Sequence, residues 1–230
     1  MAQLSVQTAF ETYRRSLFFL STSLADEPKT AQLAEPVLGL YTKAKASDLA
    51  LWELDEAVLV GRVKLNRLDL TMGRELRALE ATAKSVDSLD PTLHVLSFLF
   101  AAKSAAKISR PVGLGIDREI SDVRGVLGLV ERLPDNPALT PLRERAASLA
   151  AVTDKAEAAR NALEAAINVR TAAGKDRYHL KLEARKLFAV TKAQLSTIFP
   201  QEAALVESFF LPRDESRAPT QSAEEQDDSE

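Results

Sequence analysis

The 230-residue chain is 46% hydrophobic and 27% charged, with a formal net charge of −3; that is apolar enough to bury a core and too apolar for a disordered chain. It has no cysteine, which excludes disulfides, thiolate zinc sites and cysteine nucleophiles and fits a reducing, cytoplasmic setting. The segment from Arg213 to Glu230 holds seven acids against two arginines, leaving 28 basic and 26 acidic residues in the body, so no electrostatic argument points to nucleic acid.

A first helix is expected from about Ser5 to Leu24, because Val6, Phe10, Tyr13, Leu17, Leu20 and Leu24 fall at alternating steps of four and three. Arg14-Arg15 ahead of Leu17 to Leu20 loosely matches a twin-arginine leader, but the same residues are already explained by the amphipathic face. After the Asp26-Glu27-Pro28 turn comes the dominant feature of the chain. Val37, Leu40, Ala44, Ser47, Leu51, Leu54, Val58, Gly61, Leu65, Leu68, Met72, Glu75, Leu79, Thr82, Val86 and Leu89 form one heptad-like seam without an internal proline. The spacing predicts a helix over about 36–89, on the order of 80 Å long at 1.5 Å per residue. Trp52, beside Leu51, is expected to widen its buried stripe.

Asp90-Pro91 reads as a cap followed by a first-turn proline and opens an apolar third helix to about Ile108, nearly engulfed through Leu93, Val95, Leu96, Phe98, Leu99 and Phe100. A loop over 110–116 leads to a fourth helix capped by Asp117, with Ile116, Ile120, Val123, Leu127 and Val130 as its stripe. Gly125 and Gly128 would smooth one side for close helix approach. Thr140-Pro141 repeats the cap signature and starts a last long stretch, 141–199, with a seam through Leu142, Leu149, Val152, Ala156, Ala159, Leu163, Ala166, Leu180, Ala184, Leu187 and Ile198. Gly174 could break it into a hairpin, yet Lys175 to Arg177 leave little room for a reversal, so one rod is expected. An amphipathic piece with Leu205, Val206, Phe209 and Phe210 precedes a polar tail, 213–230, expected to be disordered.

Together these elements describe an all-α protein: an elongated antiparallel helical bundle, 1–212, of two long helices and three to four shorter ones. Opposed residue numbers on the long helices would then add up to about 230. That places Ser47 near Glu183 and Glu75 near Lys155, with Lys155 or Arg160 compensating the one carboxylate on the main seam. The middle of such a bundle has only two helices. Leu59, Val63 and Leu70 flank the seam there, opposite the small-residue face of Ala158, Ala162, Ala165 and Ala166, which marks a surface for self-association or a partner helix.

Chemistry-bearing patterns are sparse. Asp176, His179 and Glu183 share a helix face, but a bundle metal site draws a second Glu-x-x-His unit, and His94 supplies none. Gly113 and Gly115 lack the strand and third glycine of a phosphate cradle. No nucleophile elbow is present, so no catalytic, cofactor-binding or metal-binding residue is assigned. No window approaches the roughly 20 apolar residues of a membrane span. The basic run Lys175, Arg177, Lys181, Arg185, Lys186 and Lys192 could face nucleic acid or an anionic membrane, and Phe209 and Phe210 could either plug the bundle end or dock a partner. The expected function is non-enzymatic: a cytoplasmic scaffold, adaptor or assembly subunit acting through Leu59, Val63, Leu70, Ala162, Ala166, Phe209 and Phe210. Surface binding through the basic run is the alternative, with a helical pore former exposing Val95 to Ala102 behind it.

Overall fold

The computed structural model describes residues 7–109 and 115–212. The expected helix start at Ser5 and Val6, most of the 110–116 loop with its Gly113, and the 213–230 tail lie outside the described residues. In chain order the helices are α1 (Phe10–Asp26), α2 (Ala34–Leu89), α3 (Val95–Phe100), α4 (Ala105–Ile108), α5 (Gly115–Val130), α6 (Thr140–Ile198) and α7 (Ala203–Ser208), joined by short 3-10 turns. The described residues contain no strand, and the two long helices, α2 and α6, pack antiparallel. α6 runs unbroken through Gly174, as one rod.

Packing divides the chain into two compact units, Met1–Glu53 with Arg170–Glu230, and Leu54–Val169. In the first, α1 lays Tyr13, Leu17, Leu20 and Leu24 against Val37, Leu40 and Ala44 of α2 and against Ala184, Phe188 and Leu195 of α6. The end of α1 is closed by the buried Thr30 hydroxyl, which donates to the Leu24 carbonyl at 2.9 Å, satisfying an acceptor that the helix itself leaves open. Phe199 and Phe209 stack with centroids 6.0 Å apart over the same core.

In the Leu54–Val169 unit, Met72, Leu76, Leu79, Ala83 and Val86 of α2 meet Val123, Val126 and Val130 of α5 and Leu142 and Leu149 of α6. All seam positions from Val37 to Val86 are buried or half-buried, whereas Leu89 is 86% exposed. The seam therefore predicts burial well until the helix leaves its neighbours.

Four expectations need correction. The third helix is not continuous. Asp90 caps only a 3-10 turn, accepting from the Thr92 amide at 3.1 Å, His94 turns left-handed at φ 50, and α3 starts anew with its Val95 and Leu96 amides on the Asp87 carboxylate at 2.7 and 2.9 Å. An acceptor from α2 thus decides where α3 begins. Trp52 is 58% exposed rather than part of the core, because it sits on the side of α2 away from the buried residues. Gly125 and Gly128 have no atom within 4 Å of an added Cβ, so they mediate no close helix approach.

The fourth correction is the register at Glu75, whereas Ser47 and Glu183 line one depression as expected. Glu75 lies beside Arg145, 3.9 Å away, and Ser148, whose hydroxyl donates to it at 3.4 Å, about two turns from the expected Lys155. Arg160 instead pairs with Asp117 at 2.7 Å. Ahead of α6, Asn136 accepts from the Ala138 amide at 2.9 Å and caps the turn that leads into the helix.

Candidate functional site

From Leu54 to Arg67 the only buried residue of α2 is Val58. The facing α6 residues are small, with Ala156 and Ala159 buried. Gly61 is what lets the two helices close on each other: a Cβ added there would stand 3.1 Å from Leu163 Cδ1 and 3.7 Å from Leu163 Cα. With the seam satisfied by this close contact, the larger side chains on the flank of α2 have nothing to pack on. Leu59 is 61% and Val60 66% exposed.

The result is an open apolar groove of about 980 Å³ between α2 and α6, with Leu59, Val60 and Val63 on one wall and Ala158, Ala162 and Ala166 on the other. Lys64, Arg67 and Lys155 are the charged residues that line it; no carboxylate does. All three are exposed and none forms an ion pair among the described residues. By contrast, Arg124 of α5 donates to Asp154 at 2.5 Å and Glu157 at 3.0 Å and is held more firmly protonated by those bonds.

Of the sequence-derived candidates, Leu59, Val63, Ala162 and Ala166 meet in this groove, while Leu70 is exposed outside its lining. Phe209 and Phe210 are buried in the core of the other unit and offer no docking surface. The basic run is largely engaged within its own unit. Arg177 pairs with Asp48 and stacks its guanidinium over the Phe10 ring, 4.2 Å from the centroid. Lys181 donates to the Thr8 carbonyl, and burial, then the Arg177 charge, push its ammonium below the usual lysine range. Lys192 pairs with Glu207 and holds that carboxyl below its usual range. Arg185 is half-buried, which leaves Lys175 and Lys186 as the exposed members.

Asp176, His179 and Glu183 line a shallow depression with Lys43, and Lys43 stands 4.0 Å from Glu183. Among the described residues no group of three or more His, Asp or Glu side chains is arranged to hold a metal ion, and no helix is long and apolar enough to cross a membrane.

Two features were missed in the sequence. Val60, Lys64 and Arg67 continue the groove wall at steps of four and three, a signal hidden in the apolar pattern because two of the three are charged. Glu119 of α5 is only 7% exposed. Burial, a hydrogen bond with Asp69 and the Asp69 charge raise its carboxyl to about 8, against a smaller opposing effect of Arg77. No sequence signal marked this pair, since the two residues are brought together only by the packing of α5 on α2.

No protein-family model matches the chain, and neither a curated protein nor a solved structure matches it significantly.

Proposed function

We propose that the protein is a non-enzymatic interaction protein, a scaffold, adaptor or assembly subunit, that engages another helical surface through the α2–α6 groove of the Leu54–Val169 unit. The observation carrying this reading is that Leu59, Val60 and Val63 stand exposed together above an alanine wall in one groove. Burying a Leu or Val side chain contributes roughly 1.5–3 kcal/mol relative to leaving it in water. A covering helix would gain that from several residues at once, and contiguous exposed apolar area of this kind is a mark of interaction sites. The basic run gives less support to surface binding, because Arg177, Lys181 and Lys192 already serve contacts inside their own unit.

A photo-crosslinking residue at Val63 tests the reading in the native host. A discrete adduct of constant mass from Val63, absent when the same residue stands at exposed Lys186, is the expected result; its mass separates a second copy of the chain from a different protein. Equal adduct patterns from both positions, or none from Val63, would defeat the proposal. Light scattering that finds a strict monomer over a wide concentration range removes the self-association form.

A further inference from the structure

Building on that reading, we infer that the groove selects an amphipathic helix whose apolar stripe is flanked by carboxylates, belonging to a different protein. Three exposed cations, Lys64, Arg67 and Lys155, line an otherwise apolar cleft with no acid among its lining residues. Apolar area alone would accept any hydrophobic helix. The cations add a sign, attracting a partner with acids beside its stripe and penalising one with bases there.

The groove follows α2 from Ala57 to Leu68, about 17 Å at 1.5 Å per residue, which a helix of about 14 residues covers with a margin. The alanine wall at Ala158, Ala162 and Ala166 permits an approach at the short end of the 8–10 Å interaxial range. A helix laid there turns the two-helix segment into a three-helix bundle.

Two other occupants fit less well. In a two-fold dimer the same patch is presented by both copies, so the cations of one would confront those of the other with no carboxylate in the lining to offset them. The chain's own acidic segment, 213–230, has the charge but no leucine, isoleucine, valine, methionine or aromatic residue to fill the cleft.

The test uses the full chain and two labelled helical peptides with the same leucine stripe, one flanked by glutamates and one by lysines, read by fluorescence anisotropy. The acidic peptide is expected to bind on the order of tenfold tighter, with the gap narrowing as salt is raised. The triple variant Lys64→Glu, Arg67→Glu, Lys155→Glu should invert the preference. All three side chains are exposed, and circular dichroism of the variant verifies its fold. The Lys64→Gln, Arg67→Gln, Lys155→Gln variant should abolish the preference while leaving apolar binding.

Equal binding of the two peptides by wild type would overturn the charge selection and leave the interaction reading standing. Binding of neither overturns this inference, while the Val63 adduct still decides the broader reading. Displacement of the acidic peptide by a peptide of residues 213–230, or by added unlabelled protein at its own dimerisation concentration, would make this chain the occupant and also overturn it.

Discussion

Two stretches of the same helix, only a few turns apart in the Leu54–Val169 unit, have opposite fates. From Met72 to Val86, α2 is enclosed by α3, α5 and α6, and Met72, Leu76, Leu79 and Ala83 are fully buried. From Leu54 to Arg67 only Val58 is buried, and Leu59, Val60 and Val63 are exposed. Both stretches keep the seam in register. What differs is the number of neighbours, which shows that periodicity selects the inward face while the width of the buried face depends on how many helices arrive to cover it.

The comparison is broken most sharply by truncating one leucine in each stretch. Leu76→Ala should lose about 2–5 kcal/mol of unfolding free energy in urea, as a fully enclosed leucine does; Leu59→Ala should stay within about 0.5 kcal/mol, as an exposed site does. A comparable loss at Leu59 would mean that its wall is covered in the free protein.

A smaller effect is expected where the two long helices touch most closely. Gly61→Val places a branched side chain where a single added Cβ already stands 3.1 Å from Leu163 Cδ1. Overpacking should cost about 1–3 kcal/mol and widen the groove, so the variant should lose peptide binding beyond its loss of stability. Asp87→Ala, which frees the Val95 and Leu96 amides, should cost about 0.5–2 kcal/mol, measured by thermal unfolding. Its effect belongs to the enclosed stretch alone.

The packing of α5 on α2 also carries a pH signature. Glu119 binds its proton more tightly folded, at about 8, than its ordinary 4.5. Between those values the folded protein holds more protons than the unfolded chain, so this group's contribution to stability is greatest below about 4.5 and is lost as pH rises through about 8. Glu119→Gln keeps the shape and a donor toward Asp69 without titrating. Its unfolding free energy should vary less with pH across that window than that of wild type; parallel profiles would remove Glu119 as the cause. The smallest effect is expected for Leu59→Ser: no measurable change in stability, and weaker binding of the acidic peptide.

Much of this fold was legible in the chain. The 3-4 spacing from Val37 to Val86 specified a long helix and its inward face, and the continuity of α6 across Gly174 followed from the lack of residues for a reversal. Asp90-Pro91 correctly marked a cap. It did not reveal that Asp87 would reach over to cap α3 as well, because that bond joins amides to a carboxylate eight and nine residues away across a turn.

The candidate site was half legible. Leu59, Val63, Ala162 and Ala166 were recognisable as apolar surplus in a region with too few helices, whereas Phe209 and Phe210 carried the same apolar signal and are buried. An apolar residue announces that it gains by burial, not what will bury it.

By itself, then, the sequence determined the helical class, the two long seams and the surplus of apolar side chains beside one of them, since these follow from repeat spacing and local capping. The tertiary structure alone decided the Glu75 register against Arg145 and Ser148, the close passage at Gly61, the meeting of Glu119 with Asp69 and the gathering of exposed cations along the groove. Those depend on which residues distant in the chain come within a few ångströms, and a helix period of 3.6 residues fixes a direction around the axis without fixing the level at which a neighbouring helix slides past.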